Sequence, residues 1–194
     1  ALDRAGQWIS TELAERRNLI MYNPVGDNDY NTVKTIICAY QMIMPGEYAK
    51  SHRHTPNALR LMLDGGPGVY TVVNGVKLPM IAGDVLLTPS WAWHSHDNIG
   101  PDDCYWMDFL DVPLVHLLEP MFYEQFPGGV QSVTSEPNGH PFVFTRAWVV
   151  EEPEALIHEQ LLRFLPGHVS MSPVTPRSYL GHFPSVPACF AIET

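Results

Sequence analysis

Between residues 33 and 110, apolar residues recur in short β-rich segments separated by turn residues. The segments fall at residues 33–44, 58–63, 69–73, 76–80, 85–88, 91–96 and 105–110. Asn74-Gly75, between two of them, is a strong hairpin signal because both central residues of the matching tight turn need a positive φ. Many short strands with frequent Gly and Pro turns predict an all-β sandwich, jelly roll or barrel and argue against an alternating βαβ fold.

The patterning changes on both sides of this region. Residues 1–20 carry apolar positions at near-helical spacing, which predicts two short helices, and residues 23–31 form a loop of Asn, Pro, Gly and Asp. Beyond residue 127 the chain becomes rich in proline, and residues 153–165 there predict one amphipathic helix. We therefore expect an N-terminal helical arm at 1–30, a β-barrel at 31–127 and an irregular C-terminal extension at 128–194.

Length and charge narrow the functional classes. A chain of 194 residues suits one domain with extensions. Its formal charge of −10 argues against nucleic acid and anionic membrane surfaces as partners, although a few arginines in a pocket can still attract a small anion. The three cysteines are far apart, which predicts reduced structural thiols. No apolar run approaches the ~20 residues of a membrane helix and no signal peptide is recognisable, so we expect a cytoplasmic protein.

Two His-x-His pairs are candidate metal ligands, and they contain four of the nine histidines. In an extended strand, residues two apart project to the same face, so His52 and His54 can reach one ion, and His94 can complete the set from a neighbouring strand. Neutral imidazole is the commonest metal ligand, and three imidazoles leave coordination positions free for water, substrate or dioxygen. The alternative, surface polar residues on alternating strands, is weakened by the presence of two pairs.

The motifs resemble those of a known family. PGEYAKSHRHTPNALR at residues 45–60 is similar to the first cupin motif, and GDVLLTPSWAWHSH at residues 83–96 is similar to the second. Within the cupins, these two motifs resemble those of gentisate 1,2-dioxygenase and its relatives that act on salicylate and 1-hydroxy-2-naphthoate. Flanking matches are Glu15-Arg-Arg, Asn23-Pro24, Tyr40-Gln41 and Asp108-Phe-Leu-Asp-Val-Pro113.

This resemblance implies a cupin double-stranded β-helix that holds Fe(II) through His52, His54 and His94. It also implies use of dioxygen to open a hydroxylated aromatic carboxylate between its carboxyl-bearing and hydroxyl-bearing carbons, and a homo-oligomer. Most metal cupins add a glutamate shortly after the second histidine, but residues 55–60 contain no carboxylate. Three histidines leave room on a single ion for a bidentate hydroxy acid together with dioxygen.

Two arginines are candidate substrate contacts. Arg60 stands alone on the second face of an aliphatic strand, where its planar fork of donors matches a carboxylate, and a structural ion pair is the alternative. By resemblance Arg16 has a similar role, with a solvated helix face as its alternative.

The remaining site residues rest on the resemblance. It implies that Gln41 bonds to a substrate oxygen, that His96 lines the pocket, and that the carboxylate of Asp108 orients or deprotonates a neighbour such as His96. A structural role is the alternative for His96, and plain buried hydrogen bonding is the alternative for Gln41 and Asp108.

Two departures from the family keep other functions open. Residues 128–194 show no second His-x-His motif although the family has two cupin modules, so the chain is either a fragment or a shortened relative. The family has aromatic residues shortly before Gln41, but this chain has Thr35-Ile-Ile-Cys38 there. The resemblance therefore does not fix the identity of the ring substrate. The competing hypotheses are a non-catalytic cupin that binds an aromatic acid, and an isomerase or hydrolase that uses zinc or manganese.

Overall fold

The computed structural model describes residues 1–146 and 189–192. The helices in these ranges are α1 (Leu2–Trp8), α2 (Thr11–Ala14) and α3 (Val112–Leu117). The strands are β1 (Leu19–Tyr22), β2 (Ile37–Ile43), β3 (Tyr48–His54), β4 (Ala58–Asp64), β5 (Val69–Val73), β6 (Val76–Pro79), β7 (Val85–Thr88), β8 (His94–Asn98), β9 (Cys104–Leu110), β10 (Tyr123–Gln125), β11 (Val143–Phe144) and β12 (Cys189–Ile192).

Within this described part, the strands form two antiparallel sheets. One has the order β11-β7-β4-β9-β2-β1-β12 and the other has the order β10-β3-β8-β5-β6. Strands that are distant in sequence are neighbours in both sheets, as expected of a double-stranded β-helix and not of a simple meander. The all-β prediction is confirmed.

The hairpin matches its sequence prediction, and so do the two cysteines whose side chains the structure describes. Asn74 and Gly75 have φ values of 48° and 83° at the turn between β5 and β6. A side chain at Gly75 would also collide with Thr134, since an added Cβ would lie 2.6 Å from its Oγ1. Cys38 and Cys104 are buried free thiols, and burial raises the pKa of Cys104 to about 12.

The main apolar core lies between the sheets. Its buried members are Ile43, Met62, Val69, Val73, Leu78, Met80, Leu86, Ala92, Cys104 and Trp106. A smaller cluster of Ile20, Ile37 and Ala39 packs with Tyr22 and Val112. These apolar groups fix the two sheets face to face, so side chains that point inward from both sheets can meet.

A bulge in β3 sets the direction of its histidines. Ala49 pairs with His96 and His52 pairs with His94, so three steps along β3 match two steps along β8. In a regular strand Ala49 and His52 would point to opposite faces, but the extra residue lets both face the interior. Their exposed fractions are 1% and 5%.

Several elements depart from the sequence prediction. Strand β1 lies within the predicted arm at 1–30 and pairs with β2, and β11 lies beyond residue 127 and pairs with β7. The sheets therefore extend past both predicted boundaries, and the division of the chain at those points stays a prediction. The helix predicted at 153–165 lies outside the described residues. No helix in the described part is long and apolar enough to cross a bilayer.

Candidate metal centre

Three histidines converge between the sheets. His52 and His54 come from β3 and His94 comes from the adjacent strand β8, and one ligand nitrogen from each lies within 4.8 Å of the others. Among the described residues, no carboxylate or cysteine joins this group. The same-face argument from the sequence is thereby confirmed in its geometry, and the donor set matches three neutral imidazoles around one ion.

Hydrogen bonds orient the rings. Nδ1 of His54 lies 2.8 Å from the carbonyl oxygen of Pro56, and Nδ1 of His94 lies 3.0 Å from that of Ala92. A carbonyl can only accept, so each Nδ1 carries the proton and each Nε2 keeps its lone pair. This is the usual outer support of metal-ligating histidine.

His52 has charged neighbours instead. Its Nδ1 lies 3.5 Å from a carboxylate oxygen of Glu15, and its Nε2 lies 3.1 Å from Nη1 of Arg16. The arginine can only donate, which assigns the lone pair to Nε2 here as well. All three rings therefore suit one tautomer, in which Nε2 carries the lone pair, and in His52 this nitrogen is in contact with Nη1 of Arg16.

Arg16 reaches this position from a strained turn. Glu15 and Arg17 have φ values of 47° and 46°, a left-handed conformation that is unfavourable for side chains of this kind. Arg17 is held by a two-point ion pair with Glu47, with N–O distances of 2.5 and 2.6 Å. The exposed fraction of Arg16 is 6%, so the alternative of a solvated helix face is wrong.

The imidazoles line a cavity of about 510 Å³ between the sheets. Its wall consists of Glu15, Arg16, Asn18, Ile20, Tyr30, Ile37, Ala39, Gln41, His52, His54, Ala58, Arg60, His94, Asp108, Leu110, Val112 and Tyr123. Polar and charged groups lie near the histidines, while aliphatic groups from β1, β2 and β9 complete the wall. A small anion with an apolar ring matches such a lining.

Arg60 and Asp108 form a buried ion pair across β4 and β9. Nε and Nη2 of Arg60 donate to the two carboxylate oxygens at 2.8 and 3.0 Å, and the two residues are direct cross-strand partners. Nη1 of Arg60 is buried and has no partner among the described residues. The two sequence alternatives for Arg60 are therefore compatible, because the ion pair uses one edge of the guanidinium and leaves a donor free.

His96 does not line the cavity. It is fully buried behind His94, with ring centroids 6.2 Å apart, and it packs on Trp106 at 5.0 Å. Both ring nitrogens lack a hydrogen-bond partner in the described chain. The expected contact between Asp108 and His96 is therefore not formed, and the two Asp108 oxygens accept from Arg60 instead.

Gln41 lies on the cavity wall as expected, with an exposed fraction of 5%. Its side-chain oxygen has no partner in the described part of the chain. A buried acceptor without a partner is costly, so this oxygen suits a donor on a bound ligand.

Burial keeps the imidazoles neutral. It lowers the pKa of His52 to about 4, helped by the charge of Arg16 and opposed by Glu15. Burial also lowers the pKa of His54, and it holds the pKa values of His94 and His96 well below the ordinary range. Neutral imidazole is the form that binds metal, so the ligands are ready near pH 7.

These pKa shifts predict a loss of stability in acid when metal is removed with a chelator. The pKa of His52 is lower in the folded chain than the ordinary 6.5, so the unfolded chain binds more protons between pH 6.5 and 4. Stability is full above pH 6.5 and falls as the pH falls toward 4. We expect His52 alone to remove about 2 kcal/mol between pH 7 and pH 5. Urea unfolding at both pH values measures this difference, and His52→Gln should show a smaller one. An equal pH dependence in the two proteins would contradict the assignment.

The sequence did not single out some cavity residues. Tyr123 places its ring 5.2 Å from that of His52, and it comes from the short strand β10. Glu15 belongs to a flanking family match but carries no site prediction of its own. No sequence pattern indicates that Asn18 or Tyr30 lies in the cavity. Their positions depend on the strained turn and on long-range pairing, which no local pattern reveals.

Comparisons with known proteins agree with this geometry. Residues 39–112 match the cupin domain family. The chain is 41% identical over 151 residues to gentisate 1,2-dioxygenase of Ralstonia sp, an alignment that covers 77% of this chain and 41% of that protein. It is 38% identical over 148 residues to 1-hydroxy-2-naphthoate 1,2-dioxygenase of Nocardioides sp. (strain KP7), covering 76% of this chain and 38% of that protein.

A solved structure is also similar. It is a variant of salicylate 1,2-dioxygenase from Pseudoaminobacter salicylatoxidans in complex with gentisate. The TM-score is 0.70 and the sequence identity is 29%, and the match covers 82% of this chain and 50% of that chain. The chain thus spans about two fifths of the length of the two relatives and half of the solved structure.

Proposed function

The chain belongs to the cupin superfamily and is related to the gentisate 1,2-dioxygenases, and from this premise we propose that it is an Fe(II)-dependent, ring-cleaving dioxygenase. The proposed substrate is a hydroxylated aromatic carboxylate of the gentisate type, opened between the carboxyl-bearing and hydroxyl-bearing carbons. Both atoms of dioxygen enter the ring-opened product. One observation carries the proposal: three neutral imidazoles face a cavity that also contains two guanidinium groups and an aliphatic wall.

The histidines fit a ferrous ion. His52, His54 and His94 would hold it through Nε2, because Nδ1 of each ring faces a backbone carbonyl or a carboxylate. When bound, the ion supplies the redox chemistry that joins dioxygen to the ring. We assign iron and not zinc or manganese from the relationship to the dioxygenases, since imidazoles alone do not choose among these ions.

The arginines would bind the carboxylate of the substrate. Arg60 lines the cavity, its guanidinium is held by Asp108, and its Nη1 is a buried donor without a partner in the described chain. Nη1 of Arg16, which contacts Nε2 of His52, would turn to the carboxylate of the substrate. The arginine would keep one acceptor, and Nε2 of His52 would become free to bind the ion. A fixed carboxylate presents the ring in one orientation and thereby lowers the entropic barrier to reaction.

The other side chains would orient the substrate and exclude water. Ile37, Ala39 and Leu110 would contact the ring, and the side-chain oxygen of Gln41 would accept a hydrogen bond from a phenolic hydroxyl. We propose that Asp108 acts by orienting Arg60. His96 is fully buried outside the cavity wall, so its role would be to support the ring of His94 from behind, where the two rings meet edge-on.

Oxygen consumption tests the proposal. The chain is loaded anaerobically with Fe(II), mixed with gentisate, salicylate or 1-hydroxy-2-naphthoate, and followed with an oxygen electrode and by product analysis. We expect uptake of one dioxygen per ring opened with at least one acid. If the iron-loaded protein binds the acids without any uptake, it is a non-catalytic binding cupin. Metal analysis of protein purified without added metal separates iron from zinc or manganese.

The assembly state and the cellular location belong to the same proposal. By relationship we expect a homo-oligomer, which light scattering on the purified chain measures, and a cytoplasmic location.

A further inference from the structure

On the outer face of the barrel, behind the histidines, lies a group that we call the Arg53 cluster. Its members are Arg53, Trp91, Trp93, Phe122, Glu124 and Phe126. Because side chains alternate along β3, Arg53 points outward between the inward-facing His52 and His54. The carbon at the centre of its guanidinium lies 4.4 Å from the ring centroid of Trp91 and 4.4 Å from that of Trp93. One cation is therefore held by two indole rings.

The cluster joins the strands that carry the histidines. Trp91 and Trp93 belong to the segment that leads directly into β8, which begins at His94. Arg53 sits in β3 between the other two histidines. The cation–π contacts thus connect the two ligand-bearing segments from outside, independently of the β-ladder inside.

A third strand is tied to the same cation. Glu124 in β10 lies directly opposite Arg53, and one of its oxygens accepts from Nε and Nη2 at 2.8 and 2.5 Å. Phe122 and Phe126, on either side of Glu124, pack edge-on against Trp91 and Trp93, with centroids 6.4 and 5.0 Å apart. The guanidinium is thus held over two indole rings and is paired with the carboxylate through Nε and Nη2.

The backbone links the cluster to the orientation of the ligands. Ala92, between the two tryptophans, provides the carbonyl that orients His94. Trp91 has a φ of +61°, which is unfavourable for a tryptophan, and its N–H donates to the carbonyl of His54 at 2.8 Å. A conformation of this kind persists only where its surroundings hold it, and the stacked Arg53 is the neighbour that contacts both flanking rings.

We propose that Arg53 is a positioning residue of the metal centre: it clamps Trp91 and Trp93 against β3 and so sets the distance and ring orientation of His94 relative to His52 and His54. The proposal rests on the metal site of the proposed function and adds a determinant outside the cavity. Outer partners of metal ligands typically change metal affinity by about 10- to 100-fold when they are removed. A cluster that only stabilised the fold would change the unfolding temperature and leave the affinity of the folded site unaltered.

Cobalt(II) binding separates the two roles, because its visible absorption reports ligand geometry and its titration gives an affinity without any catalysis. For Arg53→Met, which keeps an unbranched stem and loses the stacked cation, we expect at least about 10-fold weaker binding and an altered cobalt spectrum. Arg53→Lys keeps the charge but not the planar, multiply donating guanidinium, and it should lie between Arg53→Met and the parent chain. Lys50→Met, an exposed position on the same strand, is the matched control and should bind like the parent chain.

Thermal unfolding of each variant is recorded in the presence of a chelator. It gives the temperature range in which the variant is folded, and the titrations are done within that range. If Arg53→Met does not fold, Arg53→Lys carries the test with the same criterion of weaker binding and a changed spectrum. Parent-like affinity and spectrum in the folded Arg53 variants would overturn the positioning role while leaving the metal site intact. Failure of the parent chain to bind cobalt would instead overturn the metal site, and the positioning role with it.

Discussion

The His54→Ala protein is expected to bind Fe(II) more than about 100-fold more weakly than the parent chain, because loss of an outer partner alone costs up to about 100-fold. It should consume no measurable oxygen with gentisate. His54 is one of the three ligand groups that converge in the described chain, and no carboxylate belongs to that converging group. Two imidazoles would leave most of the coordination sphere to water. Iron content after gel filtration and the oxygen electrode measure the two effects.

A matched substitution separates loss of a ligand from loss of any histidine. His116 is exposed, lies in the last turn of α3 and does not line the cavity. His116→Ala should keep both iron and turnover. Stoichiometric iron in His54→Ala, at a melting temperature similar to that of His116→Ala, would show that the ligand assignment is wrong.

The convergence of the histidines was predictable because it depends on short-range geometry. The spacing of His52 and His54 places both side chains on one strand face whatever the rest of the fold does. The facing of β3 against β8 depends on the bulge after Ala49, which inverts the alternation and brings His52 opposite His94. No residue type in that segment predicts a bulge. That the histidine side chains point inward could therefore be inferred only from the metal binding expected of them.

Arg16 shows why a local pattern can mislead. Two adjacent arginines in a helical segment are usually solvated, and helix propensity says nothing more. In the structure the helix ends at Ala14, Glu15 and Arg17 have positive φ values, and both arginines are buried. The burial is made acceptable by Glu47 and by the cavity, which lie far away in sequence. Short strands such as β10 and β11 are not predicted from the sequence for a related reason: they form because they pair with distant strands and not because of their residue composition.

Neutralising the buried carboxylate with Asp108→Asn is expected to destabilise the protein by about 3–5 kcal/mol, because it leaves the guanidinium of Arg60 buried without a counter-charge. The exposed fractions of the two side chains are 2% and 5%, so bulk solvent screens the pair weakly. Urea unfolding at pH 7 measures the change. Glu136→Gln provides the control, since Glu136 forms an ion pair with Lys77 in which the side chains are 65% and 28% exposed. That substitution should cost less than about 1 kcal/mol.

The pair can also be removed as a unit, and this distinguishes stability from function. Arg60→Met combined with Asp108→Leu leaves no buried charge, so most of the lost stability should return. The double variant would still lack the donor that we assign to the substrate carboxylate. We therefore expect it to fold and to hold iron at His52, His54 and His94, yet to bind gentisate at least about 10-fold more weakly, the usual effect of losing a hydrogen bond to a charged group. A folded double variant with unchanged affinity for gentisate would restrict Arg60 to a structural role, and an Asp108→Asn protein as stable as the surface control would refute the buried ion pair itself.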